Sequence, residues 1–288
     1  MTDGLTSTTL LVIAKEPVPG RVKTRLTAAY SPGQAAALAR AALADTLRAG
    51  LLLPVRRRVL VLDGRPGDWL PPGYEVWPQV AGGLDERLAA AFAGAGGPAL
   101  LIGMDTPQVS PELLAPATRP DAWERADAYF GPALDGGFWA LGLAEPDPAL
   151  LRGVPMSVPE TGAEQLRRLR AAGLRVGGLP ALRDVDHPQD VPLVAAEAPR
   201  DGEFAAEARR LGAAGATVPQ RTPVPPSTPV PPSAPSSPST PTSPSTPASP
   251  STLDPPSALD PPSAPVSPSA PVSPFAPTSP TPPAGGRR

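Results

Sequence analysis

Lysine occurs only at positions 15 and 23, although lysine and arginine together number 25. Both lysines fall in the run KEPVPGRVKTR, together with Arg21 and Arg25. An ammonium is a compact point charge, unlike the guanidinium fork. Keeping two lysines where the rest of the chain uses arginine points to a charge wanted at that place. A cationic loop after a buried strand suits anion binding at the carboxyl edge of an open α/β sheet. Gly20 could let the backbone approach a ligand, while Lys15, Arg21, Lys23 and Arg25 neutralise phosphate oxygens. The competing reading is a solvated basic loop in which Arg25 merely starts a helix. The loop has neither GxGxxG nor GxxxxGK[ST], so a dinucleotide-binding unit and a P-loop NTPase are not supported.

Three acidic groups could complement this loop. Asp105, in IGMDTP, follows an apolar run, where an unpaired carboxylate is costly and needs a partner or a metal. Hard oxygen ligands at a strand end suit Mg²⁺ or Mn²⁺, which also bind nucleotide phosphates; a turn before a helix would explain Asp105 equally. In RDVDHPQD, an extended backbone would project Asp184 and Asp186 in one direction and supply a second carboxylate. Asp186 could instead cap the helix that Pro188 begins. In GPALDGGFW, Asp135 before two glycines is a strong turn signal, and alternatively an acceptor-side carboxylate. Phe138 and Trp139 read as core residues. His187 is the single histidine, so a Ser–His–Asp hydrolase would rest entirely on it, and a pair of histidine metal ligands is excluded.

These groups need a scaffold. Leu10 to Ala14 reads as a buried strand ahead of the basic loop. Ser31 as N-cap, Pro32 at the first position and Gly50 as the stop predict a helix. RRVLVLD, YEVWPQ and PALLIG read as strands, with a helix over GGLDERLAAAFAGAGG. SPELLAPAT predicts a short capped helix, and DAYFGPA and GFWALGL two strands around the Asp135 turn. ETGAEQLRRLRAAG predicts an amphipathic helix, LRVGGL a strand, and the segment after Asp190 a last helical region fading by about residue 213. Strand and helix alternate nearly throughout, which predicts a mostly parallel sheet covered on both faces.

Composition sets further bounds. There are 47 prolines, and from Pro219 the sequence is almost wholly Pro, Ser, Thr and Ala, too poor in apolar residues to offset the entropy of ordering. The expected organisation is a folded domain over 1–217 and a disordered tail over 218–288. A net charge of −2 and a pI near 5.6 argue against a nucleic-acid partner bound through bulk positive charge. The absence of cysteine removes disulfides and thiolate chemistry. The N-terminal run lacks a basic n-region and is too short for a signal or a membrane span, so a soluble, cytoplasmic protein without a membrane partner is expected.

In their order, KEPVPGRVKTRL, QVAGGLDERL, IGMDTP, GPALDGGFWALGL and DVDHPQDV resemble a bacterial family. These are the CofC-like, arsenosugar-biosynthesis-type glycosyltransferase-like proteins of the GT-A nucleotide-diphospho-sugar transferase superfamily. The resemblance covers about Thr9 to Val191. It implies a GT-A-like three-layer α/β/α fold, a nucleotide held by the first loop, and Mg²⁺ or Mn²⁺. On that analogy Lys15, Gly20, Arg21, Lys23, Thr24 and Arg25 form the nucleotide loop, joined by Arg87. Asp105, Asp184 and Asp186 hold the metal, while Asp135 and Lys23 stand nearest the chemistry. The sequence departs from the family pattern at three positions: Gly83 follows Gly82, Asp85 stands at an expected glycine, and His187 replaces a more usual threonine after DVD. The resemblance implies a transferase that moves a sugar from a nucleotide-sugar donor to a small-molecule acceptor. The alternatives are an NTP-using nucleotidyltransferase that releases pyrophosphate and a non-catalytic nucleotide-binding protein.

Overall fold

The first strand, β1 (Thr6–Lys15), is buried on both faces, because its apolar residues run consecutively rather than alternating. Leu10, Val12 and Ala14 enter one core cluster and Leu11 another. The structure is a computed structural model that describes residues 6–215; the expected tail lies outside the described residues.

The remaining strands are β2 (Val55–Asp63), β3 (Glu75–Pro78), β4 (Ala99–Gly103), β5 (Ala128–Pro132), β6 (Phe138–Leu143) and β7 (Val176–Gly178). They form one seven-stranded sheet in the order β3-β2-β1-β4-β6-β5-β7. All pairings are parallel except the two made by β6, which runs antiparallel to both β4 and β5.

Helices α1 (Pro32–Leu51), α3 (Pro111–Thr118) and α4 (Ala122–Arg125) share the first core cluster, and α2 (Leu84–Ala95) and α5 (Thr161–Ala171) the second. The sheet is therefore sandwiched as a three-layer α/β/α fold. The final helices α6 (Asp190–Glu197) and α7 (Glu203–Gly215) pack on the outer side of α1 through a third cluster. None of the described helices is long and apolar enough to cross a membrane.

Local signals act largely as expected. Ser31 accepts from the Gln34 amide while Gln34 Oε1 accepts from the Ser31 amide, the reciprocal box that starts α1. Gly96, at φ 68°, closes α2 in the left-handed region. Gly50 does not stop α1. It is buried inside the last turn against the Tyr74 hydroxyl and Leu10, and the helix continues to Leu51. The last helical region is two helices, because α7 receives its own cap from far away in sequence. Buried Asp45 of α1 accepts from the Glu203 and Phe204 amides at 2.9 Å each, satisfying the free donors at the start of α7.

Candidate active site

The carboxyl ends of β1 and β4 lie side by side at the middle of the sheet. The loop after β1 is held at both ends. Glu16 donates its amide to Asp63 at 2.9 Å, and Val22 and Leu26 are buried. The chain between these anchors turns through Gly20 (φ 76°) and through Lys23, whose φ of 49° and ψ of 44° are left-handed. A side chain there costs about 1–3 kcal/mol, so the surrounding structure must hold it. That backbone sends Lys23 Nζ to 2.7 Å from Asp105 and 3.8 Å from Asp186, with only 8 % of the side chain exposed.

A second segment brings the late acidic motif to the same place. Leu182 pairs with the end of β5 through the Ala133 bridge and donates to Pro132 at 3.1 Å. Val185 then donates to the Asp105 carbonyl at 2.9 Å, and Gln108 Nε2 to the Arg183 carbonyl at 2.6 Å. Asp184 and Asp186 thereby reach the carboxyl edge of β4. Asp186 also pairs with Arg25. It is not the cap of the following helix. The Asp186 and His187 amides instead donate to the side chain of Asp190, the first residue of that helix, at 3.2 and 2.7 Å, and the Asp186 carboxylate faces the basic loop.

Asp135 sits in the tight turn between β5 and β6, accepting from the Gly137 amide at 2.8 Å. The glycines beside it serve packing. A Cβ on Gly136, at φ 94°, would lie 2.1 Å from the Pro159 carbonyl oxygen, and Gly162 donates to the Gly136 carbonyl at 2.8 Å. The close approach that Gly136 permits is made by the chain itself. Trp139 is buried in the core with its Nε1 on the Pro180 carbonyl, as a core reading requires.

These pieces surround one cavity of about 1120 Å³. Lys15, Arg21, Lys23, Thr24, Arg25, Arg87, Asp105, Asp135, Asp184 and Asp186 all line it; Gly20 does not. Four of its basic side chains are committed to carboxylates: Lys23 and Arg25 as above, Arg87 to Asp63, and Arg183 to Asp190. Lys15 and Arg21 have no carboxylate partner among the described residues. His187 is exposed at the rim, 3.9 Å from Asp186.

The acid centre carries two marks of an unmet demand. Asp105 Oδ1 is buried without a hydrogen-bond partner. Burial, reinforced by the carboxylates of Asp135 and Asp105 and only partly offset by Lys23, pushes the Asp184 carboxyl up to about 6. Arg25 is held above its ordinary value, chiefly by its hydrogen bond to Asp186. An oxygen-only donor set with a buried orphan oxygen fits a hard divalent cation. Among the described residues, however, no three acidic side chains converge as a ready-made ligand cluster. The expected set of Asp105, Asp184 and Asp186 is not preassembled, and Lys23 stands beside two of its members.

Several supporting residues carry no local signature. Gln79 donates to the Ala14 and Val61 carbonyls and accepts from Arg87, tying the ends of β1 and β2 to α2. Asp85, at the unexpected position, accepts from the Gly153 amide at 2.7 Å and moors the 151–160 segment to α2. Both make contacts distant in sequence, which local spacing does not encode.

The bacterial family DUF2064, described as an uncharacterized protein conserved in bacteria, matches residues 24–158. No curated protein matches the sequence. Among solved structures, the chain is similar to a candidate nucleotide-diphospho-sugar transferase from Desulfovibrio desulfuricans. Identity is 26 %, TM-score 0.65, and coverage 73 % of this chain and 96 % of that one. Two further solved structures are less similar. One is 2-C-methyl-D-erythritol 4-phosphate cytidylyltransferase from Thermus thermophilus, at 19 % identity, TM-score 0.43, and 67 % and 98 % coverage. The other is a Mycobacterium tuberculosis protein solved with manganese, at 20 %, 0.40, and 66 % and 98 %.

Proposed function

We propose that this protein is a transferase acting on a nucleotide-activated donor, and that the group it moves is a sugar. The observation that carries the reading is the make-up of one cavity. Two uncommitted cations of the β1 loop, Lys15 and Arg21, line it together with the carboxylates of Asp105, Asp135, Asp184 and Asp186. The similarity to the Desulfovibrio desulfuricans protein supports it.

In this reading Lys15 and Arg21 bind the donor diphosphate, with Thr24 and the loop amides orienting it. The acceptor hydroxyl lies at Asp135. Its oxygen bonds to the anomeric carbon, the bond from that carbon to the diphosphate oxygen breaks, and the electron pair leaves with the nucleoside diphosphate. Asp135 takes the hydroxyl proton. Lys23 and the loop cations stabilise charge developing on the leaving group. Asp105, Asp184 and Asp186 would hold Mg²⁺ or Mn²⁺, competing with Lys23 for the first and last of these. A divalent cation bound there supplies charge compensation for the diphosphate.

A thermal-shift panel of nucleotides and nucleotide sugars with Mn²⁺ tests the reading, since a ligand of the native state raises the midpoint. Binding should weaken in Lys23→Ala and lose its Mn²⁺ dependence in Asp105→Ala. Unchanged titrations of both variants would return the loop to a solvated surface feature. Released nucleoside diphosphate identifies sugar transfer, whereas released pyrophosphate would replace it with nucleotidyl transfer.

A further inference from the structure

Beyond the charged groups, the cavity has a second chemical character. Leu84, Leu134, Phe138, Met156 and Val158 all line it. Three of them are exposed to a degree unusual for such side chains, at 42 % for Leu84, 57 % for Leu134 and 39 % for Val158. The five come from three segments that line the same cavity. Leu134 and Phe138 flank the Asp135 turn, and the turn is pressed against Pro159 and Gly162, beside Met156 and Val158. Phe138 and Met156 pack on the cluster that includes Leu88, one turn along α2 from Leu84. The wall is also fixed in place, since Asp85 holds Gly153 and Thr161 holds both Pro155 and Val158.

The charged groups of the cavity come from different segments. The uncommitted cations belong to the β1 loop, whereas Asp135 lies within the wall and Asp184 is close enough to feel its charge. Arg25, on which the Asp135 charge acts, is hydrogen-bonded to Asp186. An anionic group brought to the Asp135 turn would meet that carboxylate, while an apolar body would cover surface now in water.

We propose that the acceptor is a neutral small molecule with an apolar body that lies on Leu84, Leu134, Phe138, Met156 and Val158 and presents a hydroxyl to Asp135. The proposal deepens the transferase reading and rests on it for the word acceptor. It places the donor diphosphate on the β1 loop and the apolar acceptor on other segments lining the same cavity. Phosphorylated and carboxylated acceptors are disfavoured by the Asp135 carboxylate at the wall.

Binding of 1-butanol, 1-hexanol and 1-octanol to the full chain, set against alkanoates of equal length, tests this with and without a saturating nucleoside diphosphate. Affinity for the alcohols should rise roughly fourfold per methylene, the value of a fully buried CH₂. Each alkanoate should bind at least tenfold more weakly than its alcohol. Leu134→Asp and Val158→Asp alter exposed positions and should retain the fold. Each should abolish the chain-length dependence and leave the nucleotide-induced midpoint shift in place. Affinity independent of chain length, or alkanoates binding as well as alcohols, would overturn the proposal. So would loss of the nucleotide shift in the two variants, which would assign the wall to the donor base instead. A missing nucleotide shift in the unaltered chain, with the alcohol series intact, would count against the transferase reading alone.

Discussion

Replacing Asp184 by asparagine should stabilise the metal-free protein at neutral pH. Burial, with Asp135 and Asp105 nearby, raises its carboxyl from 3.8 to about 6. At pH 7.5 the group is ionised in both the folded and unfolded chains, but only the folded chain holds it where ionisation is disfavoured. The cost to folding is fully present above the raised value and fades as pH falls from about 6 towards 3.8. A shift of about two units is worth about 3 kcal/mol. Asp184 is only partly buried, and solvent screening reduces this to about 1.5 kcal/mol. Asparagine keeps the shape without the charge. With a slope of about 3 kcal/mol per molar urea, the midpoint should rise by roughly 0.5 M at pH 7.5, and by about half as much at pH 5. Urea titrations in EDTA, followed by circular dichroism at both pH values, make the measurement. A lower midpoint at pH 7.5, or a gain equal at the two pH values, would refute the electrostatic argument. The same substitution should weaken Mn²⁺-dependent nucleotide binding, so stability and binding should move in opposite directions.

Asp45→Ala should cost about 2–3 kcal/mol in the same titration, because the Glu203 and Phe204 amides lose their shared acceptor at the start of α7; Asp45→Asn, which retains one acceptor oxygen, should cost less. Gly136→Ala should destabilise by more than about 2 kcal/mol, since φ is 94° and the new methyl would meet the Pro159 carbonyl at 2.1 Å. Gly96→Ala is its control: φ is 68° but the space is open, so about 1 kcal/mol is expected from backbone strain alone. Equal losses for the two glycines would show that crowding at the Asp135 turn contributes nothing.

Much of the architecture was legible because its signals are local. Consecutive apolar residues in β1 and β4, the Ser31–Gln34 box and the Gly96 cap each act within a few residues. Departures arose where a distant group intervened. The Asp186 carboxylate pairs with Lys23 and Arg25 rather than capping α6, and Asp45 divided the last helical region in two. At Gly50, packing against Tyr74 and Leu10 replaced a stop signal.

The sequence by itself determined which charges this protein owns and that they cluster after predicted strands. Two lysines near a glycine turn, an aspartate past an apolar run and a DxD pair are compositional facts. It also set the α/β class, through periodicity and capping. Only the tertiary structure decided which charges remain available. Lys23, Arg25, Arg87 and Arg183 are committed to carboxylates from other elements, leaving Lys15 and Arg21 on the loop. It likewise placed Asp135 against an apolar wall drawn from α2, the β5–β6 turn and the 151–160 segment. The reason is that ion pairing and burial depend on separation in space. The Val185 amide reaches the Asp105 carbonyl across eighty residues of chain, a relation that spacing along the sequence does not express.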